Sequence, residues 1–249
     1  MLRILKARIQ QKHRTMKYPA GPLPPMPDRY AGRPVLDGAC PDGCRLCQEA
    51  CPVQAIRSGA GGLLLDTGRC LFCRTCVEVC PQGTILFSRN HQLAAARRED
   101  LLVAAGSPAQ AEAVSEKARR FFRRSLKLRQ VSAGGCNACE ADTNVLNTPF
   151  FDLSRFGIDF VASPRHADGI HVTGPISRNM KAALLTTYEA VPSPKVVIAS
   201  GACSISGGPF YSSDEIVGDL SELLPVDLYI PGCPPHPLTT LHALLTFFK

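Results

Sequence analysis

Twelve cysteines fall in three sets along a chain of 249 residues. Cys40, Cys44, Cys47 and Cys51 stand in "CPDGCRLCQEACP", and Cys70, Cys73, Cys76 and Cys80 in "CLFCRTCVEVCP". The third set is dispersed, with Cys136 and Cys139 close together in "GGCNACE" and Cys203 and Cys233 each alone. Thiolates bind soft metals, and their spacing says what kind of centre they form. The second group reads C-x2-C-x2-C-x3-C-P at every position. At that spacing three thiolates on a tight loop cap three corners of an iron–sulfur cubane, and the fourth leaves for a neighbouring cluster. The proline ends the loop by removing a backbone donor and fixing the turn.

This run is the one used by bacterial-type two-cluster ferredoxins. The crossed ligation assigns one 4Fe–4S cluster to Cys40, Cys44, Cys47 and Cys80, and a second to Cys70, Cys73, Cys76 and Cys51. The first group departs from the pattern by one residue between Cys40 and Cys44, an insertion that Gly43 can absorb. A pair of zinc sites would favour separated C-x2-C pairs and leaves the x3-C-P ending, present twice, without a role.

The elements around the third set explain why it can be dispersed. From about residue 125 onward, short apolar runs ("LKLRQVS", "IDFVAS", "GIHVTG", "KVVIASG", "DLYIPG") read as strands. "SRNMKAALLTTYEAV", "SSDEIVGDLSELL" and "PLTTLHALLTFF" read as helices. Alternation of this kind implies a parallel sheet with helical crossovers. Cys136 and Cys139, Cys203, and Cys233 then all follow carboxyl ends of strands, the edge where open α/β sheets gather ligands. Glycines flank each of them and let backbone N–H groups approach sulfide. Four thiolates converging there suit a third cubane; a four-thiolate zinc site uses the same ligand types.

The motifs "GGCNACE", "VTGPISRNM", "GACSISGGPF" and "PGCPPHP" resemble the small subunit of NiFe hydrogenases and its relative in respiratory complex I, over roughly residues 121–249. The resemblance implies a flavodoxin-like domain in which Cys136, Cys139, Cys203 and Cys233 bind a proximal 4Fe–4S cluster facing a catalytic large subunit. The C-x2-C pair, in place of adjacent cysteines, is similar to the energy-converting membrane-bound hydrogenases and formate hydrogenlyase. The basic N-terminal stretch, "YP", "RYAGRP" and the double cysteine motif resemble the polyferredoxin-like neighbour of that subunit, here fused to it.

The expected organisation is a basic amphipathic helix and Pro-rich arm (1–36), an α+β two-cluster ferredoxin-like domain (37–88), a helical linker (89–124), and an α/β flavodoxin-like domain with a parallel sheet (125–249). No stretch approaches the roughly 20 apolar residues of a spanning helix, and the first residues lack a secretory signal. A peripheral place on the cytoplasmic side of a membrane is therefore expected, where metal rather than disulfides accounts for the thiols. The net charge of +7 is polarised: residues 131–249 carry 6 Lys/Arg against 11 Asp/Glu. The basic run "KARRFFRRSLKLR" lacks a nucleic-acid reader motif and suits a subunit or an anionic membrane surface.

All twelve cysteines are used, so no nickel site remains, and no motif resembles a flavin or nucleotide site. The chain itself is expected to be a non-catalytic electron-transfer subunit. Its expected partners are a hydrogenase-like large subunit, membrane subunits of the same complex, and a soluble electron donor or acceptor. A complex I-like oxidoreductase without nickel and a free-standing carrier are the alternatives. Glu140 reads either as a residue at the large-subunit interface or as a helix N-terminal carboxylate. His236, beside Cys233, reads as a hydrogen-bond donor toward the cluster or as structural, and His166, His171 and His242 show no ligand spacing.

Overall fold

The computed structural model describes residues 2–12, 14–38, 40, 41, 43–59, 62–106, 122 and 125–248. Helix α1 (Leu2–Gln11) is basic and leads into an irregular Pro-rich arm. The arm is held rather than loose: Met16 N–H donates to the Phe150 carbonyl, and the Tyr18 hydroxyl lies 2.7 Å from His242 Nδ1.

Two small antiparallel sheets frame the loops that hold the first eight cysteines. One pairs β1 (Pro34–Leu36) with β4 (Ile85–Phe87). The other orders β2 (Ile56–Gly59), β3 (Gly62–Asp66) and β5 (Leu102–Ala104) as β2-β3-β5. Two one-turn helices, α2 (Leu46–Glu49) and α3 (Thr75–Glu78), hold Cys47 and Cys76 at equivalent places. A helix of one turn has little stability of its own. These are fixed by a small core of Leu36, Val53, Ile56, Leu65, Ile85 and Val103, into which Cys47, Cys70 and Cys76 pack.

The remainder is one five-stranded parallel sheet, with β6 (Leu126–Ser132), β7 (Ile158–Phe160), β8 (Gly169–Thr173), β9 (Val196–Ser200) and β10 (Leu228–Ile230) in the order β10-β9-β8-β6-β7. Numbered from its own first strand this is 2-1-3-4-5, the flavodoxin-like doubly wound order, with its switch point between β6 and β8. Strands β8 and β9 are buried at every residue, which is why they read as near-continuous apolar runs. One face packs on α4 (Ala138–Val145) and α7 (Pro237–Phe248); the other lies under α5 (Arg178–Ala190) and α6 (Ala202–Ser206).

The five strands and two of the three helices expected in this region are present. The third, "SSDEIVGDLSELL", is not an α-helix: only Leu220–Glu222 forms a 3-10 turn. Its backbone is used across the chain instead, with Val217 N–H donating to Ile176 O and Arg178 N–H to Glu215 O. The expected linker helix also differs. Arg98–Leu101 is a 3-10 turn and Leu102–Ala104 is strand, because the free edge of β3 recruits it. Of that expectation, residues 107–121, 123 and 124 lie outside the described residues.

The two halves are stitched together. Ala95 forms an antiparallel bridge with Tyr229 on edge strand β10, exchanging hydrogen bonds of 3.0 and 2.8 Å. Arg98 forks onto both Asp66 carboxylate oxygens at 2.9 and 2.7 Å and reaches Asp219 at 3.6 Å. Burial works against the Arg98 charge, but the bond to Asp66 and the fields of Asp66 and Asp219 outweigh it and raise its pKa.

Candidate iron–sulfur centres

All twelve thiols are free of disulfides. The fold sorts them into three neighbourhoods, each of four. Cys47 feels the field of Cys40, Cys44 and Cys80; Cys70 feels Cys76, Cys51 and Cys73; Cys139 feels Cys203, Cys233 and Cys136. The crossed membership of Cys80 and Cys51 follows from the geometry of the repeat. Each x3-C-P ending leaves its one-turn helix and runs back toward the opposite loop.

The first neighbourhood lies beside a cavity of about 520 Å³ lined by Cys40, Cys44, Arg45, Ser58 and Thr84. The extra residue between Cys40 and Cys44 is accommodated where Gly43 takes φ +74 with open space around it. Cys40 remains beside Thr84, at 3.9 Å from its hydroxyl. For Cys80, burial pushes the thiol up, but backbone N–H groups of Thr84, Gln82 and Gly83 together with the Thr84 hydroxyl pull it down. The second neighbourhood has the same kind of cradle. Ala55 N–H donates to Cys51 Sγ at 3.2 Å and Phe72 N–H to Cys70 Sγ at 3.3 Å, and the Thr75 hydroxyl donates to Cys73 Sγ at 3.4 Å.

The third neighbourhood sits at the carboxyl edge of the parallel sheet. Cys136 and Cys139 follow β6 at the switch point, Cys203 lies in α6 after β9, and Cys233 follows β10. Asn137, at φ 70, turns the chain so that Cys139 enters the first turn of α4. Gly201 lies against Cys139: a Cβ there would stand 2.8 Å from Sγ.

Burial pushes Cys139 up to about 12, with Cys203, Glu140 and Cys233 adding to it, and Cys203 likewise to about 12. Burial, then Cys73 and Cys51, takes Cys76 to about 11. Four thiols so placed resist ionising together unless a cation is bound among them, and N–H donors aimed at sulfur favour the thiolate form. The donor set therefore fits a cationic, sulfur-ligated group. Among the described residues no three Cys, His, Asp or Glu side chains are gathered tightly enough for a single ion. Thiolates around one zinc stand only about 3.8 Å apart, the geometry of 2.3 Å bonds at tetrahedral angles.

Two secondary expectations resolve to their structural readings, with Glu140 in the first turn of α4. Glu140 is 8% exposed and accepts the Thr173 hydroxyl at 2.7 Å, so its carboxylate points into the sheet layer and not onto an outer surface. Those bonds, with Ser132, hold it below the usual carboxylate range although burial alone would raise it. His236 accepts the Leu238 N–H at 3.1 Å and stands edge-on to Tyr30, which makes it a cap for α7. Sequence reasoning passed over Arg98 and the Tyr18–His91–His242 contact, because neither has a spacing signature.

Cys233 feels the field of Cys73 as well as that of Cys136. The second and third neighbourhoods are therefore adjacent, across a cleft lined by Leu71, Phe72, Cys233 and Pro234.

Residues 136–247 match the family described as NADH ubiquinone oxidoreductase, 20 Kd subunit, and residues 39–85 match the 4Fe-4S dicluster domain. Formate hydrogenlyase subunit 7 of Escherichia coli (strain K12) is 44% identical over 121 residues, covering 49% of this chain and 48% of that protein. The "Probable membrane-bound hydrogenase subunit mbhJ" of Pyrococcus furiosus is 41% identical over 126 residues, covering 51% of this chain and 75% of that protein. An NADH-quinone oxidoreductase subunit of Roseiflexus sp. (strain RS-1) is 42% identical over 116 residues, covering 46% of this chain and 43% of that protein. The chain thus spans about half the length of the Escherichia and Roseiflexus relatives. With its parallel sheet, its four converging thiols and these relatives, the chain belongs to the family of the 20 Kd subunit of NADH ubiquinone oxidoreductase, and carries a 4Fe-4S dicluster domain ahead of it.

Proposed function

We propose that the chain is an electron-transfer subunit holding three 4Fe–4S clusters, one on Cys40, Cys44, Cys47 and Cys80, one on Cys70, Cys73, Cys76 and Cys51, and one on Cys136, Cys139, Cys203 and Cys233. The carrying observation is the cleft that Leu71 and Phe72 of the second cysteine loop share with Cys233, across which Cys73 acts on Cys233. It makes the second site the middle of a series, with the first site at the outer end beside its own open cavity. Each bound cluster supplies a one-electron site whose potential follows hydrogen bonding and exposure. The protein's part is to space the sites, aim N–H groups at sulfur and exclude water from Cys47, Cys70 and Cys76, which are buried.

The catalytic partner in this reading is the large subunit of a membrane-associated complex of hydrogenase type, consistent with the names of two relatives. A complex I-like assembly without nickel is the second reading, favoured by the similarity to an NADH-quinone oxidoreductase subunit. Cys136 and Cys233 are exposed, and Phe210, 48% exposed, stands one short turn beyond the Cys203 loop. An exposed aromatic following the Cys203 turn, with exposed thiols at the same sheet edge, suits the core of a stable interface. At the other end, α1 leaves Leu2, Ile4, Leu5 and Ile9 exposed among Arg3, Lys6 and Arg8. That composition suits an anionic membrane surface, whereas among the described residues no helix is long and apolar enough to cross a membrane. In domain terms the reading is an arm (1–36), a two-cluster domain (37–88), a connector (89–124) and a third-cluster domain (125–249).

Anaerobic analysis of the purified chain is expected to give about twelve iron and twelve sulfide per chain, the stoichiometry of three cubanes. A reproducible value near eight with zinc present would remove the third cluster. The odd spacing at Cys40 has its own test. Cys40→Ser is expected to lower iron by up to about four per chain and alter one EPR signal, leaving the other two clusters intact. An unchanged spectrum and iron content would show that Cys40 is not a ligand.

A further inference from the structure

Strand parity places Gln130 and Ser132 of β6, His171 and Thr173 of β8, and Ile198 and Ser200 of β9 on one face of the parallel sheet, the face under α4 and α7. Most of that layer is apolar, built on Leu126, Leu128, Ile158, Ile198 and the leucines of α7. A polar file crosses it. His171 is wholly buried, paired in register with Gln130, and meets Phe160 edge-on at 5.6 Å between ring centroids. Glu140 reaches the same layer from the first turn of α4, with Oε1 bonded to Thr173.

Four atoms of this file are buried without a hydrogen-bond partner among the described residues: both ring nitrogens of His171, Nε2 of Gln130 and Oε2 of Glu140. Gln130 stands opposite His171 in the register and still does not bond to it. Buried polar groups are very largely satisfied in folded proteins, by protein or by ordered water. Four unpartnered atoms on three neighbouring side chains in one apolar layer would be a concentrated penalty.

We propose that ordered water occupies a site enclosed by Gln130, His171 and Glu140, forming a hydrated file from the edge of β6 to the residue next to Cys139. The donors and acceptors match this occupant. One water accepts from the protonated ring nitrogen of His171 and donates to Glu140 Oε2. A second accepts from Gln130 Nε2 and donates to the bare ring nitrogen. A neutral imidazole, with one N–H and one lone pair, is what this pattern requires. Burial supplies it, lowering His171 to about 4 against the opposing pull of Glu140. The outer end of the file is open by register. The last pair of β7 is Phe160 with Leu128, so the half-buried Gln130 lies past the end of that strand. A buried water typically makes two to four bonds to such groups. The site stands on these side chains alone and does not depend on what the thiols bind.

Two substitutions separate a wet site from a dry one. His171→Leu removes the two central bonding atoms at similar volume. If the site holds water, the change strands Gln130 and Glu140 and lowers the melting temperature of the intact, cluster-loaded chain by about 4–8 °C. His171→Gln keeps a donor and an acceptor and is expected to recover more than half of that loss. If the layer is dry, leucine replaces an unsatisfied ring, and the melting temperature stays level or rises, which overturns the proposal. A high-resolution crystal structure of the unsubstituted protein gives an independent reading. Ordered density within hydrogen-bonding distance of both His171 ring nitrogens supports the file, and bare nitrogens overturn it even if His171→Leu fails to fold.

Discussion

Gly201→Ala is expected to strip the proposed third cluster from the protein while leaving all twelve cysteines in the chain. Gly201 lies at φ +91 and ψ 152, a conformation nearly reserved for glycine, and forcing alanine into it costs on the order of 1–3 kcal/mol. The added Cβ would also stand 2.8 Å from Cys139 Sγ. The backbone cannot simply retreat, because Gly201 N–H donates to Ile230 O and Ala202 N–H to Gly232 O, tying this turn to the Cys233 loop. One extra methyl therefore presses on Cys139 and shifts the loops of Cys203 and Cys233 together. Iron is expected to fall by about four per chain, to the level of two cubanes. The EPR signals of the other two centres should persist. Unchanged iron and an unchanged third signal would show that Cys139 is not held in place by this contact.

Arg98→Ala is expected to loosen the junction between the two halves and to cost about 2–3 kcal/mol, less than a fully buried pair because Arg98 keeps 27% of its side chain exposed. The fork onto Asp66 and the reach to Asp219 join the sheet of β3 to the loop before β10. Removing the guanidinium leaves two carboxylates, 14% and 19% exposed, without their cation. For a chain of this size the corresponding fall in melting temperature is about 5–10 °C. Arg98→Lys should recover less than half, since an ammonium cannot make the two-pronged contact. Neighbouring links, the Ala95–Tyr229 bridge and the Ser206 hydroxyl on Gly68 O, remain and keep the chain folded. A melting temperature within about 1 °C of the parent would place the strength of the junction in those links instead.

These two substitutions act on features of different legibility. The glycine at 201 could be read from sequence as a residue that frees a tight turn beside a cysteine. Its contact with Cys139, 62 positions away, could not. Arg98 gave no signal at all, because a salt bridge between residues separated by 32 and 121 positions has no local pattern.

What the sequence by itself determined is what short-range chemistry encodes. A cubane ligand loop must place its thiolates within a few residues, so the spacings of the first eight cysteines already suggest the two crossed sets proposed here. Strands buried on both faces are mostly apolar, so β8 and β9 were visible as runs, and their alternation with helices implied a parallel sheet whose carboxyl edge collects Cys136, Cys139, Cys203 and Cys233. Only the tertiary structure decided the rest. Residues 212–224 have helical periodicity, yet Val217 N–H bonds Ile176 O and Glu215 O accepts Arg178 N–H, because the turn into α5 offered partners that an isolated helix lacks. Leu102–Ala104 became a strand because β3 had an open edge to fill. Glu140 turned inward because Ser132 and Thr173 present hydroxyls on the strand face below it. The cleft across which Cys73 acts on Cys233, on which the order of the three sites depends, arises from packing one half on the other. Contacts of that kind are fixed by the sum of many distant surfaces, and no stretch of residues carries them alone.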